Sequence, residues 1–236
     1  LIHNGEIYNH SDLRNQTSQY SWTTKGDSET IIALHSSLGN TDVGEKRVHS
    51  SDVRDNGLFR YEKGYSEPDN PASRHLSWVS KLDGVWGFIL WDPVQCELIL
   101  SRDVLGVKPL VRTIAENSLL VGSEVKAFRA HEGYHSELDM NSLVARLAYE
   151  YSLDNTTLFK NVIQVAPGSI ETWKLDENNN PILTGVAMLP RMKIKQSNSW
   201  NPLTDAKLLL ESLGSSIADR LMSDVPLGIV LSGGLD

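Results

Sequence analysis

The chain has 236 residues, 40% of them hydrophobic and 22% charged, an ordinary composition for a globular protein long enough to bury a sizeable core. Its net charge of −8 argues against a nucleic-acid partner, which a basic face would attract, but not against a nucleotide held by backbone N–H groups. No apolar run approaches the ~20 residues that cross a bilayer, so no membrane partner is expected. The single cysteine, Cys96, cannot form an internal disulfide and fits the cytoplasm.

Leu1 to His3 reads as the end of a strand, turned by the dipeptide Asn4-Gly5. A helix is predicted from Asp27 or Ser28, either of which can cap it, through Ile31, Leu34 and Leu38 to a stop at Gly39. From Asn40 to Arg74 periodicity vanishes and Gly, Asp, Ser, Asn and charges dominate. These residues far exceed the usual ~4–6-residue connection, so 40–74 is read as an insertion. A short helix is expected around Leu76, Val79 and Leu82, then strands over 85–91, 97–101, 110–115 and 118–122 with turn chemistry between them. A helix over 138–151 carries Leu143, Leu147 and Tyr151, and a strand over 168–175 closes in the polar turn 176–181.

Composition then turns polar over 190–202, which suits a linker. The division expected is one domain over 1–190, a linker over 191–202, and a second domain beginning at 203–236. Pro202 starts a helix with an apolar stripe of Ala206, Leu209, Leu210, Leu213, Ile217 and Leu221. After the break at Asp224-Val225-Pro226, 227–231 is a wholly apolar strand of the kind buried in parallel α/β sheets. Ser232-Gly233-Gly234-Leu235-Asp236 follows directly. A glycine pair there lets backbone N–H groups approach a phosphate chain, and the Asp suits a Mg²⁺ carried by a nucleotide. There is no Gly-Lys-Ser/Thr, so this is not the common P-loop. On spacing alone a glycine-rich turn explains it equally well.

The run from Asp224 to Asp236 resembles the pyrophosphate-binding loop of asparagine synthetases. By that resemblance Leu231 contacts ATP, Ser232, Gly233 and Gly234 hold its phosphates, and Asp236 is a Mg²⁺ ligand. Near the other end, Asn4-Gly5-Glu6-Ile7-Tyr8-Asn9 resembles the class II glutamine amidotransferase motif of the same family. The resemblance makes Asn4 and Gly5 catalytic: a side-chain amide and a backbone N–H are two donors that can meet one developing oxyanion. It also makes Asn4, Glu6 and Asp27 glutamine-binding, the two carboxylates holding the α-ammonium group. A plain hairpin turn at Asn4-Gly5 and a plain helix cap at Asp27 are the simpler readings.

Further matches run in the family's order: Leu82-Asp83-Gly84-Val85-Trp86-Gly87-Phe88, Trp91-Asp92, Arg102 to Leu110, Ser123 to Ala127, and Pro167-Gly168. Arg102 and Asp103 are read as an adjacent ion pair in a turn. The fold implied is an α+β four-layer α/β/β/α sandwich of the N-terminal-nucleophile hydrolase type, followed by the start of an α/β doubly wound nucleotide-binding domain. The activity implied is asparagine synthesis from glutamine, aspartate and ATP through an aspartyl-adenylate, releasing AMP and pyrophosphate, by an enzyme able to form a homodimer. The family's nucleophilic cysteine and its arginine clamp would precede Leu1, so the chain is expected to be an inactive piece of a longer enzyme, and Cys96 at a hairpin tip is not expected to substitute. Competing readings are a relative acting on another carboxylate (β-lactam-forming or peptide-cyclising) and a non-catalytic amidotransferase-like module. His131-Glu132-Gly133-Tyr134-His135 fits a zinc-protease pattern, but Gly133 interrupts the helix that pattern requires.

Overall fold

The two strands within 84–102 are almost continuously apolar, and except for Trp91 near the hairpin end their apolar side chains are buried or partly buried on both faces, so this hairpin lies inside a sheet covered on two sides. The computed structural model describes residues 1–39, 70–190, 201–223 and 225–233. The chain divides into two units, Leu1–Arg191 and Met192–Asp236.

In the first unit, strands β1 (Ile2–Ile7), β2 (Gly84–Asp92), β3 (Glu97–Arg102), β7 (Ser169–Leu175) and β8 (Pro181–Met188) form an antiparallel sheet in the order β1-β2-β3-β7-β8. Strands β4 (Val111–Ala115), β5 (Ser118–Gly122) and β6 (Ile163–Gln164) form a second in the order β5-β4-β6. On one face of the larger sheet Ile7, Phe88, Leu90, Ile99 and Ile170 pack with Leu13 of α1 (His10–Gln16), Ile31 and Leu34 of α2 (Glu29–Leu38), and Trp78 of α3 (Leu76–Val79). On the other face Leu100 and Trp173 meet Leu110, Val165, Leu119 and Val121, which joins the two sheets. The buried Arg112–Glu171 ion pair (Nε to Oε2, 2.6 Å) crosses the same interface, with the guanidinium 4.9 Å from the Trp173 ring centre.

Three layers of the expected sandwich are therefore present. The outer face of the small sheet is covered differently: Val111 and Val162 pack on Phe128 of a 3-10 helix, Val125–Ala130, and on coil, not on an α-helix. Helix α4 (Met140–Tyr149) forms where predicted, capped by Asp139 accepting from the Ser142 N–H at 2.9 Å, but Val144 and Leu147 on it are exposed.

Three expectations for this unit need correction. Asn4-Gly5 does not turn the chain; both lie inside β1, in register with Gly87 and Trp86. The insertion expected over 40–74 lies mostly outside the described residues, and its last part is ordered: Asn70 caps a 3-10 helix, Pro71–His75, accepting from the Ala72 N–H. Arg102 and Asp103 do not pair with each other. Arg102 donates to the carbonyls of Lys108, Val165 and Gly106, while Asp103 accepts from the N–H groups of Trp86, Leu105, Val107 and Lys108. Desolvation outweighs the nearby Asp103 charge and draws the guanidinium below its ordinary value.

The second unit holds α5 (Pro202–Asp219), opened by Asn201 accepting from the Leu203 N–H at 3.0 Å. The strand predicted over 227–231 does not form: Leu227, Ile229, Val230 and Leu231 lie in coil, each more than half exposed. An apolar run becomes a strand only beside another strand, and none accompanies it among the described residues.

Candidate active site

Strand β1 lies at the edge of its sheet among the described strands. The Tyr8 N–H bonds the Asp83 carbonyl across the ladder at 2.7 Å, whereas the Ile7 N–H turns away and is taken by Asp27 Oδ2 at 2.8 Å. In an antiparallel ladder this alternation repeats every second residue, so the Gly5 N–H also points to the open side. Side chains alternate across the strand as well. Ile7 enters the helix-side core, and Asn4 faces the other way, where its Nδ2 donates to Ser123 Oγ at 3.1 Å, just after β5.

The loop before α2 brings Asp27 to this edge, and Glu29 shapes that loop. Its two carboxylate oxygens accept from the backbone N–H and hydroxyl of both Thr23 and Thr24 at 2.6 to 2.8 Å. These bonds, led by the Thr24 hydroxyl, hold the Glu29 carboxyl down at about 2. Asp27 does not cap α2. Ser28 occupies the cap position without a side-chain cap bond, and its hydroxyl sits 2.8 Å from His3 Nδ1 and 3.4 Å from Asp27 Oδ1. Burial pushes the His3 imidazole below its ordinary value; the Asp27 carboxylate opposes this and Lys108 adds to it. Lys108 Cβ lies 3.8 Å from where a side chain on Gly87, the residue in register with Asn4, would begin.

Asn4, Gly5 and Glu6 are thus consecutive and half-buried on one edge strand, with Asp27 fastened to the amide of the next residue. Two N–H donors at an open edge can meet an oxyanion, and a carboxylate beside them can meet an ammonium group. The sequence places Ser123 in a family-like motif but gives it no role, and points to neither His3 nor Lys108. A contact 119 positions apart leaves no local pattern to read.

Of the residues expected to hold ATP and Mg²⁺, Leu231, Ser232 and Gly233 are exposed coil, and Gly234 and Asp236 lie outside the described residues. Gly233 has φ +77°, a conformation glycine adopts without strain, and nothing lies within 4 Å of where its side chain would begin. Among the described residues no group of three or more His, Cys, Asp or Glu side chains could hold a metal ion. His131 and Glu132 sit in a turn, and His131 Nδ1 accepts from the Gly133 N–H at 3.1 Å. No helix among the described residues is long and apolar enough to cross a membrane.

The glutamine amidotransferase domain profile matches residues 1–47 and 75–182, which is more than half of the chain. The chain belongs to this family. The unmatched stretch, 48–74, falls within the 40–74 segment expected as an insertion. The asparagine synthase profile matches residues 208–236. Amidase chry2 of Gibberella zeae is 28% identical over 99% of this chain and 29% of its own length. A glutamine-hydrolysing asparagine synthetase of Bacillus subtilis is 26% identical over 100% of this chain and 32% of its own length. This amidotransferase chain therefore spans about a third of the curated relatives it matches. A solved glutamine phosphoribosylpyrophosphate amidotransferase of B. subtilis aligns with a TM-score of 0.43 and 17% identity, over 77% of this chain and 28% of that one.

Proposed function

We propose that this chain is the glutaminase part of a glutamine-hydrolysing asparagine synthetase, joined to the first segment of its ATP-using part. The arrangement that carries the reading is the open edge of β1, where the Gly5 N–H and the Asn4 amide stand beside an Asp27 tied to Ile7. In this reading glutamine is cleaved at that edge by a cysteine preceding residue 1, within a sandwich of the N-terminal-nucleophile hydrolase type. Asn4 and Gly5 stabilise the oxyanion, and Glu6 and Asp27 hold the α-ammonium group. The released ammonia attacks aspartate activated by ATP as an aspartyl-adenylate, giving asparagine, AMP and pyrophosphate. Leu231, Ser232, Gly233 and Gly234 hold ATP and Asp236 holds its Mg²⁺. The domain boundaries at 190 and 203, a cytoplasmic location and assembly as a homodimer belong to the same reading.

The amidase relative at 28% identity favours a second reading, in which the same module serves a synthetase acting on another carboxylate. One experiment separates them. The full-length protein is supplied with glutamine, ATP and aspartate or other carboxylates, and the products are identified. Asparagine with AMP and pyrophosphate supports the first reading, and pyrophosphate with a different acceptor supports the second. Release of ADP and orthophosphate overturns both. Asn4→Ala should slow glutamine hydrolysis by about 10²–10³-fold while ammonia-dependent synthesis persists. Asp236→Asn should abolish pyrophosphate release and spare the glutaminase.

A further inference from the structure

We infer that Ser123 is a positioning residue for glutamine hydrolysis, its hydroxyl fixing the plane of the Asn4 amide at the open edge of β1. The inference rests on the glutaminase reading above. The torsion that turns an Asn amide is broad and roughly two-fold, so an amide with no partner sweeps a wide arc. An oxyanion donor needs the opposite property, because its benefit depends on being aimed before charge develops. Within the described hydrogen bonds, the contact that stops the Asn4 amide from turning is Ser123 Oγ, 3.1 Å from Nδ2. A hydroxyl can accept from Nδ2 or donate to Oδ1, so Ser123 fixes the amide plane whichever way the amide is turned. With one Nδ2 hydrogen engaged, the second is left with a defined direction.

The two residues come from opposite sheets. Asn4 is on edge strand β1 of the large sheet, and Ser123 follows β5, the edge strand of the small one. Ser123 is itself held on both sides. Gly122 pairs with Val111 in the sheet, and from Glu124 the chain enters the 3-10 helix, where the Ala127 N–H bonds the Glu124 carbonyl at 3.1 Å and Phe128 is buried against Val111 and Val162. Ser123 therefore stands on a rigid junction, which gives its hydroxyl the fixed position that a second-layer contact needs to transmit.

The test is steady-state glutamine hydrolysis by the full-length enzyme with four variants. Ser123→Ala should lower kcat about tenfold with KM within about twofold, a loss smaller than deletion of the donor because the amide remains but wanders. Ser123→Thr, which keeps the hydroxyl, should restore kcat. Asn4→Ala combined with Ser123→Ala should be no slower than Asn4→Ala alone, because the serine acts only through the asparagine. If Ser123→Ala does not fold, Ser123→Val set against Ser123→Thr, two side chains of one shape, repeats the comparison with and without the hydroxyl. A wild-type kcat in Ser123→Ala or Ser123→Val, or additive losses in the double variant, overturns the inference while leaving the site intact. A wild-type kcat in Asn4→Ala overturns the glutaminase site itself.

Discussion

Replacing Gly5 with alanine adds one carbon at a crowded point of the β1–β2 ladder. Built on the existing backbone, that carbon falls 2.0 Å from the Val85 carbonyl oxygen, 2.8 Å from Trp86 Cα and 2.9 Å from His3 Nε2. Real Cβ atoms essentially never come within 3.0 Å of such neighbours, and two of the three here are backbone atoms that cannot swing aside. The φ of +155° also lies where a side chain is strained. Overpacking costs about 1–3 kcal/mol and a strained backbone conformation about as much again, so the expected loss is about 2–6 kcal/mol. Taking a urea dependence of about 2 kcal/mol per molar, the unfolding midpoint should fall by about 1–3 M. Trp86, in register with Gly5, and Trp78 in the core provide a fluorescence readout. Gly214→Ala is the control: nothing lies within 4 Å of the added carbon in α5, and the change should stabilise that helix by up to about 1 kcal/mol. If Gly5→Ala unfolded within about 0.3 M of the parent, well inside the predicted shift, the ladder would have slack at this residue and the steric reasoning would be wrong.

Two further outcomes concern acid. The Glu29 carboxyl titrates at about 2 in the folded chain against an ordinary 4.5, so its stabilisation is complete above pH 4.5 and is lost as pH falls toward 2. Glu29→Gln should flatten the acid limb of a midpoint-against-pH plot over that window, and an unchanged limb would show that the threonine bonds do not hold in solution. His75 is fully buried between Trp78 Nε1, which donates to its Nδ1 at 3.1 Å, and Glu97 Oε1, 3.0 Å from its Nε2, with Arg74 also on Glu97 and His35 stacked beside it on Asp92. Burial lowers the His75 pKa despite Glu97, so below pH 6.5 the unfolded chain binds the proton first and stability falls, by up to about 1.4 kcal/mol per pH unit for this group. His75→Gln should lower stability at pH 7 and make the decline below pH 6.5 shallower; a chain that gained stability from pH 7 to 6 would contradict this.

The central hairpin could be read from sequence because its residues decide locally: β-branched and aromatic side chains in 84–102, with Asp92-Pro93 between the strands, form the predicted pair. Elements that depend on distant partners were not legible. Helix α1 has only Leu13 to bury, too little to make a period. Strand β8 begins at Pro181, contains Gly185 and pairs across a register shift at Thr172/Trp173, all signals that count against a strand when read alone. Asn4-Gly5 carries the strongest short-range hairpin signal, and the tertiary ladder overrides it. In the candidate site, the residue types were readable from the resemblance, but the attachment of Asp27 to Ile7 spans 20 positions and that of Asn4 to Ser123 spans 119.

The bond from the Ile7 amide to Asp27 has a consequence for how this surface can evolve. An edge strand with unused amides invites another chain to add itself, and an inward-turned carboxylate is one of the ways proteins prevent it. Asp27 occupies such an amide, and in the reading proposed above the same carboxylate receives the substrate's ammonium group. In that reading, recognition and cover for this strand, an edge among the described strands, depend on one side chain. A mutation that retunes specificity at Asp27 also uncovers the strand, so altered substrate choice is more readily reached through residues that leave this carboxylate in place.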